Sequence, residues 1–289
     1  MTARAIVLLL WAGATALGVP QTPATAPSAV LVYERQPLRI PVSCRAADLE
    51  AAGLLCSDEE PCRLFLELTA VEAVGPKILI TGNLHTSAAT LSSIALLSED
   101  AGTTWREPAP RVAAAGFESI QFLNDQQGWI VVQPHGQFPH DPYLLGTANG
   151  GQNWEPLRLW SEEGRAGLLQ QFHFNSREHG WSLVDRSAAA AGYELYETLN
   201  AGASWMLRET SSRAIAPKWP ARRPSDWRLR EDGKLKTYEL ERRVGDSWRR
   251  MANFRTELGV CKNPEPVAPP PPPAVPEESL KLGNPPGRP

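Results

Sequence analysis

Three polar turns that close on tryptophan recur along this chain at near-constant spacing, and that recurrence excludes most folds. They are "SEDAGTTW" (Ser98 to Trp105), "TANGGQNW" (Thr147 to Trp154) and "TLNAGASW" (Thr198 to Trp205). Trp105, Trp154 and Trp205 stand 49 and 51 residues apart. A second landmark keeps the same period. "FLNDQQGW" (Phe122 to Trp129) and "FNSREHGW" (Phe174 to Trp181) share F-x5-G-W and lie 52 residues apart. Two separate landmarks with one period define a repeat unit of about 50 residues, the size of a propeller blade.

Each unit reads as β. "SIQF", "GWIVV", "PYLLGT" and "NWEPLRL" are short runs of apolar, β-branched or aromatic residues parted by turn residues. The next unit repeats the order as "LLQQFHF", "GWSLVD", "YELYET" and "SWMLRE". An earlier unit holds "RLFLELTAVEAV", "KILITGNLH", "SSIALLS" and "TTWREP". A degenerate fourth surrounds "RVGDSW", keeping only a glycine, a serine and Trp248. Helical periodicity never persists, save for one short helix expected in "AADLEAAGLLC". The chain is expected to be all-β, a propeller of four-stranded antiparallel blades, about four or five in number. Each tryptophan turn is then the hairpin between the third and fourth strands of a blade. A closed ring leaves no open sheet edge; a partial ring completed by a partner chain is the alternative.

The turn residues have structural duties. Asp100, replaced by Asn149 and Asn200, offers a side-chain oxygen to backbone N–H groups just ahead of it. Gly102, Gly151 and Gly202 supply positive φ. Ser98, Thr147 and Thr198 supply a hydroxyl that bonds across the turn. The tryptophan is expected to fold inward, its ring between sheets and its indole N–H near the turn. Asparagine at two of three positions excludes acid–base chemistry there, because an amide accepts a hydrogen bond but does not shuttle protons.

S-x-D-x-G-x-T-W, matched by Ser98 to Trp105 at every fixed position, resembles the Asp box of bacterial neuraminidase repeats. With the F-x5-G-W series, the chain is similar to the propellers related to photosystem II stability and assembly factors. The resemblance covers about residues 63 to 250. It implies a propeller fold and a scaffold or binding role, without implying a photosynthetic partner.

The ends differ in composition from this middle. "MTARAIVLLLWAGATALG" has one basic residue and an apolar run too short for a membrane span, as in a signal peptide over 1–18 with cleavage between 18 and 26. An uncleaved anchor is the other reading. A flexible leader over 19–29 follows, then the propeller over 30–262. Residues 263–289, rich in proline, cannot build a core and favour extended polyproline backbone. An exported chain of this kind is periplasmic, in the cell envelope or extracellular. Its four cysteines are therefore expected in disulfides. Cys56–Cys62 closes a local loop, and Cys44–Cys261 latches the first blade to the last.

The net charge of −3 carries no nucleic-acid signature. Residues 206–250 hold 13 basic and 7 acidic side chains, read as polar outer strands or as a face for an anionic partner. His135, His140, Asp141 and Tyr143, in a Pro/Gly-rich loop, are candidate binding residues. The matching segment of the next unit carries Asp185 and Arg186 instead. Solvated loop histidines explain the pair better than a metal site, and no cofactor is expected. Arg39, in "LRIPVSC", matches the arginine that precedes the first box in sialidases. That enzyme needs three arginines, a Tyr/Glu nucleophile pair and an acidic donor, of which only Arg39 is identifiable from sequence. The leading expectation is an exported, non-catalytic module that binds or scaffolds a protein or glycan, with envelope assembly as one setting. A sialidase-type glycoside hydrolase is the alternative.

Overall fold

The computed structural model describes residues 29–136, 140–189, 192–220 and 225–262. The signal segment, almost all of the leader, and the proline-rich tail lie outside them. The chain opens with β1 (Leu31–Val32), β2 (Leu38–Ile40), helix α1 (Ala46–Ala51) and β3 (Cys62–Arg63). Four sheets follow in sequence order. Blade one is β4 (Phe65–Val74), β5 (Lys77–His85), β6 (Thr90–Ser98) and β7 (Thr104–Trp105). Blade two is β8 (Ala115–Phe122), β9 (Gly128–Pro134), β10 (Tyr143–Thr147) and β11 (Glu155–Arg158). Blade three is β12 (Leu168–Phe174), β13 (Gly180–Asp185), β14 (Tyr193–Thr198) and β15 (Met206–Ser211). Blade four holds β16 (Trp227–Asp232), β17 (Thr237–Val244) and β18 (Ser247–Thr256), and β19 (Val260–Cys261) ends the described chain. The fold is an all-β propeller of antiparallel blades, and each tryptophan turn joins the third and fourth strands of its blade.

The fourth blade departs from expectation. "RVGDSW" is the hairpin between β17 and β18, the second and third strands, so Trp248 is no counterpart of Trp205. The fourth strand comes instead from the N-terminus: β2 pairs parallel to β18, Phe254 opposite Leu38. Just before it, β1 pairs with β7 on the rim of blade one, Leu31 opposite Trp105. Ten residues thus tie the outer edges of the first and last blades together. Two more ties lie beyond. β19 pairs with β3, and a disulfide joins Cys44 to Cys261; a second disulfide, Cys56–Cys62, closes only a local loop.

The blades pack face to face in the order four, one, two, three. Leu240, Ala252 and Phe254 of blade four meet Ile78, Ile80, Ile94 and Leu96 of blade one. Leu79, Ala95 and Leu97 meet Phe117, Ile120 and Ile130 of blade two. Trp129, Val131 and Leu144 meet Phe172, Phe174 and Val184 of blade three. Among the described residues, no apolar cluster is shared by blades three and four. The outward face of blade four is a charged ladder, where Arg228, Arg230 and Arg250 pair with Glu239 and Glu241. Glu239 and Glu241 are already counted among the seven acidic residues of 206–250, so the ladder leaves the basic excess of that segment as it was.

The F-x5-G-W signature has a steric cause. Phe122 sits opposite Gly128, and Phe174 opposite Gly180. A Cβ on either glycine would stand 2.7 or 2.5 Å from the phenyl ring that covers it. The following tryptophan reaches the next unit: Trp129 stacks on Phe174 with centroids 3.8 Å apart and planes 5° from parallel. Blade four has no F-x5-G-W, and among the described residues Trp181 meets no such phenyl and leans on His179.

Buried amides complete the seams. Gln121 donates to the Phe174 carbonyl at 2.7 Å and accepts the Phe174 N–H at 2.9 Å. Gln133 does the same for the Gly167 carbonyl and the Leu169 N–H. Asn83 accepts the Phe117 N–H. Each side chain acts as a short piece of neighbouring strand, which is how a buried amide meets its hydrogen-bonding needs.

Two outcomes are expected. Cys44→Ser should lower unfolding stability by about 3–5 kcal/mol, since the bond closes a loop of 217 residues in sequence separation. Urea unfolding monitored by tryptophan fluorescence measures it, and mass mapping should still find Cys56–Cys62. Gln121→Leu keeps the volume but strands two buried backbone groups of Phe174, and should cost about 2–4 kcal/mol by the same assay.

Candidate functional site

The tryptophan turns come first because they are the most regular feature. Asp100 Oδ1 accepts the N–H groups of Thr103 at 3.0 Å and Thr104 at 2.8 Å, and the Ser98 hydroxyl at 2.9 Å. Its Oδ2 accepts the Thr104 hydroxyl at 2.7 Å. Ser98 Oγ accepts the Gly102 N–H at 2.8 Å, and Gly102 sits at φ +97°. Thr147 and Thr198 repeat that bond to Gly151 and Gly202. Asn149 and Asn200 accept one backbone N–H each, from Asn153 and Ser204. Burial pulls the Asp100 carboxyl upward, but the bonds from Thr104, Ser98 and Thr103 outweigh it and hold the group below its ordinary value. Both Asp100 oxygens are taken up by donors of the turn itself, so the carboxylate caps backbone.

The tryptophans do not behave alike. Trp105 is 1% exposed, donates its indole N–H to the Gly102 carbonyl, and meets Phe254 edge-on at 5.1 Å. Trp154 and Trp205 are only half-buried, and their indole N–H groups find no acceptor among the described residues. All three rings thus fold inward as expected, Trp105 completely and Trp154 and Trp205 in part, packed against Phe122 and Phe174. Trp105 is roofed by β1 and by blade four; blades two and three have no extra rim strand.

A cleft of about 950 Å³ opens at the other end of blade two, away from its tryptophan turn. β8 starts there, β9 ends, β10 starts and β11 ends, while α1 forms a wall through Glu50 and Ala51. Tyr143 and Trp160 contribute rings, Pro134, Pro142 and Pro156 add flat apolar edges, and Arg158 and His140 bring donors. Arg158 is paired with Glu163 at 2.7 Å. Burial pushes the Tyr143 phenol up, against the pull of Arg158, so it remains a neutral hydrogen-bond donor at ordinary pH.

Of the five residues singled out from sequence, His140, Asp141 and Tyr143 line this cleft. Asp141 is a loop clamp whose oxygens accept the N–H groups of Gly164 and Ala166. His135 is not among the lining residues, and its Nε2 stands 3.3 Å from Glu118. Arg39 lies elsewhere, on the rim of blade four opposite Arg255. Sequence reasoning expected α1 as a short helix without linking it to a site, and it missed Arg158 and Trp160. Trp160 carried a usable signal, because it belongs to neither periodic tryptophan series.

Behind Trp160, a buried ionic group ties blade two to blade three. Glu194 accepts from Arg186 at 2.9 Å, from Arg165 at 3.2 Å, and from the Tyr196 hydroxyl. Both guanidinium groups lie over the Trp160 ring, at 5.3 and 5.9 Å. Arg186 also donates to the carbonyls of Arg165 and Ala166. Burial first, and then the Glu194 bond, push the Tyr196 phenol up to about 12.

No family model matches this chain, and no curated protein matches it either. Among solved structures, a GH74 xyloglucanase from Xanthomonas campestris is similar at 16% identity over 46% of this chain and 18% of its own, with a TM-score of 0.34. YCF48 from Cyanidioschyzon merolae matches at 17% identity over 65% and 56%, TM-score 0.33. A Dyadobacter fermentans protein of unknown function matches at 13% identity over 66% and 65%, TM-score 0.33. The chain spans less than two thirds of each of these three. The fold assignment rests on the sheets themselves.

The capping geometry carries a prediction with a sign. Asp100→Ala should lower stability by about 1–2 kcal/mol at pH 7. Asp100→Asn should be nearly silent there, because Asn200 already fills the same role and its amide donates to Ser204 at 2.9 Å. The folded carboxyl sits below its ordinary value, so its contribution is complete above the unfolded value near 4 and is lost as pH falls through the folded one. The asparagine variant should therefore lose less stability than wild type between pH 4 and 2. Urea melts across that range decide it; an asparagine variant that unfolds where the alanine variant does not would refute the capping account.

Proposed function

We propose that this chain is an exported, non-catalytic propeller of the Asp-box type that binds an extended ligand, a peptide or a glycan, in the cleft at the end of blade two. In this reading residues 1–18 direct export, 30–262 form the binding head and 263–289 the tail. The observation that carries it is the cleft itself: about 950 Å³, walled by two aromatic rings and three prolines, with Glu50, His140, Asp141, Arg158 and Glu163 among its polar groups. Concave, largely apolar sites with a handful of donors are where ligands bind. Two disulfides suit an oxidising compartment, and no helix of the described residues is long and apolar enough to cross a membrane.

The glycosidase reading has one specific observation in its favour, since Tyr196, Glu194, Arg165 and Arg186 bring together the residue types a sialidase uses. Their arrangement argues for structure instead. A nucleophilic phenol needs access and a lowered pKa, whereas Tyr196 is 3% exposed and is held protonated. The arginines grip Glu194 of the chain itself, leaving little of their charge for an outside carboxylate.

The purified chain should show no turnover on a fluorogenic sialoside or a panel of aryl glycosides. Tyr196→Phe should alter stability only. Turnover that disappears in Tyr196→Phe would overturn the binding reading and establish the enzyme.

A further inference from the structure

The cleft wall and the last described residues lie close together in the fold, although far apart in sequence. Cys261, one residue before the last described position, is bonded to Cys44 with Cα atoms 5.5 Å apart. α1 starts two residues after Cys44, and its Glu50 and Ala51 form the cleft wall. At 1.5 Å per residue, the helix places that wall about 10 Å from the latch. The last described residues, Cys261 and Lys262, thus stand near the helix that walls the cleft.

We infer that the tail docks in this cleft of its own propeller, through the five prolines Pro269–Pro273 in polyproline conformation. The inference rests on the cleft being the binding site, and it names the occupant. Reach is sufficient: six residues separate Lys262 from Pro269, and polyproline backbone advances about 3.1 Å per residue, or roughly 20 Å in all. Chemistry fits as well. Polyproline segments bind in grooves lined by aromatic rings, which pack on the pyrrolidine faces. Their backbone makes no internal hydrogen bonds, so each carbonyl is free to accept. Tyr143 and Trp160 supply rings, and the Tyr143 hydroxyl and Arg158 supply donors. Tethering raises the local concentration of the tail to about the millimolar range, so a weak site is filled without any partner.

The test uses the full chain and a free peptide of residues 264–276, PEPVAPPPPPAVP. In one variant Pro269 to Pro273 are all replaced by serine. The peptide should bind this variant at least tenfold more tightly than the unaltered chain, where the tail competes. Adding Ala51→Trp, an exposed position on the cleft wall, should abolish binding without touching the core. Trp160→Ala should do the same, with a circular dichroism melt to confirm folding. Equal affinity for both chains, or no binding to either, overturns tail docking. If a glycan or another peptide still binds in a manner blocked by Ala51→Trp, the cleft reading survives that loss; if Ala51→Trp blocks nothing, both fail. A competition that strengthens with protein concentration would assign the tail to a second copy and overturn the intramolecular form.

Discussion

The propeller depends on one seam, where the end of the chain meets its beginning. Blades one, two and three follow each other in sequence, and local hairpins build each of them. The contact between blade four and blade one has no such help, because it joins residues about 200 positions apart. Bringing them together costs loop-closure entropy that only native contacts recover. The chain concentrates its strongest devices there: β2 as the last strand of blade four, β1 on the rim of blade one, the Cys44–Cys261 bond, and the burial of Trp105 against Phe254. Even the best-formed tryptophan turn belongs to this seam. The burial of Trp105 is as much a property of the N-terminal strap as of the turn.

Between the other blades the period itself does the packing. A tryptophan one residue after a glycine can lie across the next unit only if that unit presents a flat ring at the same height. Phe174 presents it to Trp129, and Gly180 is the cost of placing a phenyl there. Where the pattern stops, so does the apolar seam: among the described residues Trp181 meets no such phenyl, and blade four turns an Arg/Glu ladder outward instead. The charge run and the end of the F-x5-G-W series are two views of one change in the chain.

This explains what was legible in the sequence. Strand identity, blade size and hairpin placement were readable, because each is set by short-range alternation and turn chemistry repeated at fixed spacing. The latch followed from topology and cysteine count. The misreading of "RVGDSW" has a physical cause: a glycine turn before a tryptophan suits any hairpin of a blade, and nothing local reports that the fourth strand comes from Leu38–Ile40. The inter-blade clamps of Gln121, Gln133 and Asn83 were invisible for a similar reason. A buried amide looks like a surface amide until its partner, 34 to 53 residues away, is known.

The candidate site follows the same logic in reverse. A repeat can build only what is equal in every blade, whereas a cleft for one ligand has to be unequal. Each wall of this cleft comes from a departure: α1 precedes the first repeat, His140 to Tyr143 fill a loop that carries Asp185 and Arg186 in the next blade, and Trp160 lies outside both tryptophan series. Asp141 then fixes the loop after β11 by accepting from Gly164 and Ala166, and Arg165 and Arg186 lock onto Glu194 beneath the Trp160 ring. Both guanidinium groups of that ionic group lie over the Trp160 ring, which places this aromatic wall against a paired, partly buried set of charges. A rigid wall loses little entropy when a ligand packs on it, which is the condition for a site that binds through flat rings.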